Sequence, residues 1–149
     1  MKIKRTFTWE EANALVPRLT EIFGVVAQLR SQLRSTYERL AELGAPPGQS
    51  IEPERAGSPE VLRLQAHFQG FYEALGEQLR QVEELGALVK DIDTGLVDFF
   101  YERDGREVLL CWRYGENEIG WGHEIETGFP GRHPIEESDR RRRRRPLLH

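Results

Sequence analysis

Apolar residues recur along the first half of the chain at alternating steps of four and three. One series runs Leu15, Leu19, Ile22, Val26, Leu29, Leu33, Thr36, Leu40, Leu43, and a second runs Val61, Leu64, Phe68, Phe71, Leu75, Gln78, Val82, Leu85. Such spacing keeps one stripe of an α-helix apolar and is the heptad pattern of a helix packed lengthwise against another. Thr8 followed by Glu11 makes a capping box with Phe7 placed as a hydrophobic staple, so the first helix is predicted over about residues 9–43. Pro17 lies in its first turns and predicts a kink or a later true start, because proline lacks the N–H donor and clashes with the preceding turn. Gly44 ends the helix, and residues 44–58, with Pro46, Pro47, Pro53 and three glycines, read as a loop. Ser58 and Pro59 supply a cap and a first-turn proline for a second helix over about 59–85. At about 1.5 Å rise per residue both helices are roughly 40 Å long, and two matched seams predict an antiparallel hairpin.

From Gly86 the period changes from helical to alternating. Ala87 to Asp93 and Leu96 to Glu102 read as strand sequence broken at Thr94 and Gly95. Asp104-Gly105 is a strong hairpin turn, Arg106 to Tyr114 a further strand, and Ile119 to Ile125 another after a turn at Gly115 to Glu118. The opening residues MKIKRTF alternate well enough for an edge strand. The predicted fold is α+β, a long antiparallel helical hairpin followed by a small antiparallel β-meander, in one domain over residues 1–135.

Length supports this, since 149 residues suffice to bury a core without staples. Cys111 is the sole cysteine, so no intramolecular disulfide forms. The opening carries no export pattern, and no run approaches the roughly 18 apolar residues of a spanning helix, so a soluble cytoplasmic protein is expected. Charge is uneven: residues 1–135 hold 22 acids and 15 bases, whereas 136–149 hold three acids and six arginines. An acidic body repels phosphate backbones, which confines any nucleic-acid reading to Arg140–Arg145. That run has neither aromatics nor periodicity, so 136–149 is expected to be a disordered arginine-rich tail.

Candidate chemistry concentrates between Lys90 and Pro134. Trp112, Arg113, Glu116, Trp121, His123, Glu124 and Arg132 are more than a solvated sheet face needs. Alternation puts Val108, Leu110, Trp112 and Tyr114 on the core face of their strand, with Glu107, Leu109, Cys111 and Arg113 opposite. Trp121 and His123 project together, and Gly120 and Gly122 leave the reverse side open to close approach or a bend. A histidine, whose unperturbed pKa as a residue type lies near neutrality, suits general-base or metal-ligand service beside a carboxylate, and His123 is the candidate, while a half-buried histidine bonded to a carboxylate is the commoner arrangement. No H-E-x-x-H, H-x-H or paired-cysteine motif decides between them, and the acids Asp91, Asp93 and Asp98 come from other sequence. Asp91 and Asp93 would share a face of a regular strand, as a carboxylate pair or as charges guarding an edge. Arg113 and Arg132 match a carboxylate or phosphate, or else Glu116 and Glu124 satisfy them internally. Cys111, inside a leucine-rich strand with no histidine nearby in sequence, reads as a small apolar group; His67 reads as structural and His149 as tail. None of the glycines forms a phosphate loop.

The combination K-D-I-D-T-G-L-V-D-F from Lys90, G-R-E-V-L-L-C-W-R from Gly105, G-E-x-x-I from Gly115 and H-x-x-x-x-G-F-x-G-R-x-P from His123 resembles the family catalogued as domain of unknown function 2203. F-T-W-E-E-A-N-A-L-V-P from Phe7 resembles that family's start, so the likeness covers residues 7 to about 135, and the arginine run lies outside it. Gly122 stands where the family pattern has an aromatic before the histidine. The resemblance implies a small prokaryotic cytosolic protein and specifies no activity.

The leading expectation is a non-catalytic binding or interaction module with a small polar-aromatic pocket on the sheet. Its candidate ligand-binding residues are Asp91, Asp93, Arg113, Glu116, Trp121, His123 and Arg132, with a small anionic ligand or a protein as partner and no catalytic residue assigned. Cofactor and metal are left open. Leu62, Tyr72 and Leu79 lie off the helical seam and need a cover, which predicts a dimer through the helices. The alternative is a small metal-assisted hydrolase or acid-base enzyme using His123 with Asp91, Asp93, Asp98 or Glu116. A second alternative is nucleic-acid contact through the arginine tail.

Overall fold

A computed structural model describes residues 4–51 and 53–143. In chain order the elements are helices α1 (Trp9–Asn13), α2 (Val16–Glu42), α3 (Pro53–Ala56) and α4 (Pro59–Glu84), then strands β1 (Leu88–Asp91), β2 (Leu96–Arg103), β3 (Arg106–Arg113), β4 (Trp121–Glu124) and β5 (His133–Pro134), and helix α5 (Glu137–Arg141). A long helix pair followed by an antiparallel sheet is the α+β layout read from the sequence. Contacts divide the described chain into two compact units, residues 24–80 and residues 4–23 with 81–143. Among the described residues no helix is long and apolar enough to cross a membrane.

The first unit is most of the helical hairpin. Arg39 Nη2 and Nε both reach Glu60 Oε1, at 2.8 and 3.1 Å, holding the end of α2 beside the start of α4. α2 stops in a Schellman motif: Gly44 has φ +75°, its N–H donates to Ala41 O, and the Ala45 N–H donates to Leu40 O. Leu40 and Ala45 then bury together with Val61. Thr36, the polar break in the seam, is buried because its hydroxyl donates back to Gln32 O at 2.7 Å. α3 is a single turn inside the expected loop, with Pro53 at its start where the missing donor costs nothing. The seam of α4 remains only half-buried from Leu64 through Gln78.

The second unit carries the sheet. At its start Thr8 and Glu11 form the expected capping box of α1, and the helix breaks at Ala14 and Leu15, so that Pro17 falls in the first turn of α2. All five strands are antiparallel, in the order β1-β2-β3-β4-β5. The β2–β3 hairpin turns at Asp104 (φ +52°) and Gly105 (φ +79°), the paired positive angles of a type I′ turn. The expected N-terminal edge strand is reduced to one bridge, Thr6 beside Phe100, with residues 1–3 outside the described part.

One face of the sheet is the main core. Val97, Phe99, Tyr101, Val108, Leu110 and Trp112 are buried there with Phe7 and Phe23, whose rings lie 5.0 Å from Phe99 and 5.9 Å from Trp112. Each such side chain contributes about 1.5–3 kcal/mol on burial. Leu109 and Cys111, on the opposite face, are buried as well. A strand covered on both sides has no solvated face, so alternation alone did not mark Cys111 as exposed or inert.

Beyond residue 135 the structure differs from the tail expectation. Glu136 and Asp139 form a reciprocal cap on α5, and the fully buried Asp139 accepts from Tyr101 Oη at 2.9 Å and from Arg103 Nε and Nη2 at 2.9 and 2.6 Å. Arg140 pairs with Glu118 and lies over Trp9, and Arg142 reaches Tyr101 and Asp104. Arg140 and Arg142 therefore have folded partners, and residues 144–149, which include the last two arginines of the run, lie outside the described residues.

Burial alone would raise the Asp139 pKa; hydrogen bonds from Arg103, Tyr101 and the Glu136 N–H outweigh it and hold the carboxyl below the usual aspartate range. Burial, then the Asp139 hydrogen bond, pushes Tyr101 up to about 12. A depressed carboxylate adds stability that is fully present above the unfolded aspartate pKa and is lost as pH falls through the folded value. Asp139→Ala is expected to cost about 2–4 kcal/mol in urea unfolding at pH 7, since it strands a half-covered Arg103. The difference from wild type should shrink as the pH is lowered below about 4. An Asp139→Ala protein as stable as wild type at pH 7 would contradict the role of this anchor.

Candidate functional site

Strand register assembles the site. Asp98 on β2 pairs with Cys111 on β3, Cys111 pairs with Trp121 on β4, and Leu109 pairs with His123. Residues paired across strands share a face, so Asp98, Cys111, Trp121 and His123 all stand on the side away from the main core. Gly122, between Trp121 and His123, faces that core, where a Cβ would sit a tight 3.2 Å from Leu109 O. The preceding turn is fixed by α1, because Trp9 Nε1 donates to Ile119 O at 2.7 Å and the Ile119 N–H donates to Asn13 Oδ1 at 2.8 Å.

His123 is 3% exposed and Asp98 1%. The imidazole Nδ1 lies 2.8 Å from the Glu124 carbonyl oxygen, and Nε2 lies 3.0 Å from Asp98 Oδ2. A carbonyl only accepts, so Nδ1 carries a proton, and the Nε2–Oδ2 contact must hold a second one. The pair is then either imidazolium with carboxylate or imidazole with carboxylic acid, and it is neutral overall in both forms. Asp98 Oδ1 is buried and has no hydrogen-bond partner. The Cys111 sulfur completes a group in which one donor atom from each of Asp98, Cys111 and His123 lies within 4.8 Å of the others. Burial first, and then the charge of Asp98, pushes the Cys111 thiol up to about 12.

A cavity of about 280 Å³ opens over Asp98 and His123, with Cys111 outside its lining. Asp98 and His123 form its floor, Leu88, Leu96, Phe100 and Leu109 its walls, and the exposed Lys90, Ile125 and Phe129 stand at the mouth. Its size is at the small end for ligand sites, and apolar walls around a few convergent polar groups are their usual composition.

The other expected site residues serve different ends. Arg132 Nη2 donates to both Glu116 oxygens at 2.7 and 2.8 Å, and the guanidinium lies over the rings of Trp121 and Phe129 at 5.0 and 5.1 Å. Its charge is met inside the protein, and it fastens residues 129–132 to the sheet. Glu116 also accepts from the Arg113 N–H, and the Arg113 side chain is exposed. Glu124 pairs with Arg106. Asp91 and Asp93 do not form the same-face pair of a regular strand: a bulge follows Val89, β1 ends at Asp91, and Asp91 instead accepts from the Asp93 N–H and the Thr94 hydroxyl to shape the turn. Cys111 does have a histidine neighbour, brought by the adjacent strand rather than by nearby sequence. His67 lies on α4 beside Phe71, 6.2 Å between ring centres, and His149 lies outside the described residues.

Residues 5–135 match the family model described as an uncharacterized conserved protein, DUF2203, and the chain belongs to that family. No curated protein and no solved structure matches the chain.

Burial and the neighbouring Asp98 charge keep the Cys111 thiol protonated and covered at pH 8. A thiol-reactive disulfide reagent is expected to label the folded protein at least about 1,000-fold more slowly than the urea-unfolded chain. Labelling at comparable rates would contradict the buried placement.

Proposed function

We propose that this DUF2203 family member binds a small, mainly apolar molecule carrying one hydrogen-bonding head group, in the pocket above β2–β4. The observation that carries this reading is a buried Asp98–His123 pair at the floor of a cavity with otherwise apolar walls. A buried polar pair presents directional chemistry only at one point, so a ligand is oriented head-first with its apolar part among Leu88, Leu96 and Leu109. Lys90 at the mouth favours ligands with a negative or electron-rich outer end. The test is protein-observed NMR on the full-length protein titrated with short-chain carboxylic acids, alcohols and phenols. Binding members should shift the His123 ring signals, and Ile125→Trp, a change at an exposed rim position, should weaken them at least tenfold, or about 1.4 kcal/mol. Failure of the whole set to bind, or binding indifferent to Ile125→Trp, would contradict the reading.

The same pair supports a second reading, acid-base chemistry on a molecule in the pocket. A proton shared across 3.0 Å between a carboxyl and an imidazole is positioned for transfer to a bound substrate.

Pairing of two chains through the helices is a separate proposal. It is supported by the half-buried seam of α4 and by Val25, Tyr37, Leu62 and Tyr72, which are 42 to 62% exposed. Light scattering after size exclusion is expected to give twice the chain mass, and a Leu62→Glu, Tyr72→Glu protein the single mass. A wild-type monomer at all concentrations would remove the proposal.

A further inference from the structure

The geometry points to a site for one divalent transition-metal ion of the zinc class, held by Asp98, Cys111 and His123. This deepens the pocket reading and rests on it for access, because Asp98 and His123 are the part of the trio that the cavity reaches.

Three independent features converge. The donor atoms are one oxygen, one sulfur and one nitrogen from three neighbouring strands, all within 4.8 Å of one another. Zinc bonds of about 2.0–2.3 Å place tetrahedral ligand atoms about 3.3–3.6 Å apart, so side-chain adjustments of about an ångström close the set. Asp98 Oδ1 is buried with no partner. The Cys111 thiol beside Asp98 is only a weak donor to its carboxylate, so a buried acidic oxygen is left poorly satisfied and a cation would satisfy it better. Finally, the Glu124 carbonyl holds His123 Nδ1–H and leaves Nε2 as the coordinating nitrogen, the outer contact that fixes the tautomer of metal-bound histidines.

Charge balance favours the ion further. The metal-free group is neutral and holds two removable protons, one on the sulfur and one between Asp98 and His123. A divalent ion bound by carboxylate, thiolate and neutral imidazole is also neutral, so two protons leave as one ion enters and no net charge is buried. Thiolate and imidazole select zinc or cobalt over magnesium or calcium, which prefer all-oxygen sites. Three protein ligands leave a fourth position facing the cavity, open to water or to the head group of a bound molecule.

The experiment titrates cobalt(II) into metal-stripped full-length protein and follows its absorption. One equivalent is expected to bind with a thiolate-to-cobalt charge-transfer band in the near-ultraviolet and tetrahedral bands in the visible, and zinc should displace it. Cys111→Ser should lose the charge-transfer band, and His123→Ala should weaken binding at least 100-fold, with far-ultraviolet circular dichroism confirming that each variant is folded. Ile125→Trp should retain cobalt. Cobalt uptake without any small-molecule binding upholds the ion site and removes the pocket reading, whereas small-molecule binding without cobalt uptake does the reverse. The ion site is overturned if the wild type takes up no cobalt at millimolar concentration or binds it without the charge-transfer band. A band retained in folded Cys111→Ser overturns it equally.

Discussion

Strand register, set at the Asp104–Gly105 turn, decides which side chains meet on this sheet. Positive φ at both turn residues matches the twist of the flanking strands and pairs Arg103 with Arg106, and from there Asp98 with Cys111. A slip of one residue would send Asp98 and Cys111 to opposite faces and put the carboxylate beside Leu110 and Trp112. The apolar residues on both faces of β3 resist that slip, because each face has its own cover. Site geometry is therefore a by-product of hydrophobic registration rather than of any loop shaped around a ligand.

Polar contacts close the second unit at both ends of the sheet. Asp139, from the segment after the last strand, ties Tyr101 and Arg103 at the hairpin end, and Arg132 with Glu116 fastens the stretch after β4 against Trp121 and Phe129. Both are charges met in sheltered surroundings, where removing one partner strands the other. Neither touches the reacting or ligating atoms proposed at Asp98, Cys111 and His123. The Arg132 contacts hold Phe129 at the cavity's edge, whereas Asp139 closes the core face of the sheet.

The helices were legible because a helix presents its face through local spacing, so Leu19, Ile22, Val26 and Leu40 reveal the core directly. The hairpin turn was legible for the same reason. The trio was not: His123 could be singled out by residue type, and Asp98 named among its possible partners, but Cys111 meets them only through pairing across β3, which single-strand alternation does not encode. Asp91 and Asp93 do not pair because a bulge after Val89 breaks the alternation and β1 ends at Asp91, two residues short of Asp93. The capping signal of α5, Glu136 with Asp139, was present but masked by the arginines that follow it.

The proton arrangement at His123 is the most direct test of how this site is built. Long-range proton-nitrogen correlation spectra of the imidazole in metal-free protein report which nitrogen carries hydrogen. Protonated Nδ1, with Nε2 either sharing its proton with Asp98 or converted to a bare acceptor in Asp98→Asn, is the expected result. A neutral ring protonated at Nε2 with a bare Nδ1 would contradict the Glu124 contact, and with it the orientation on which both the pocket floor and the proposed ion site depend.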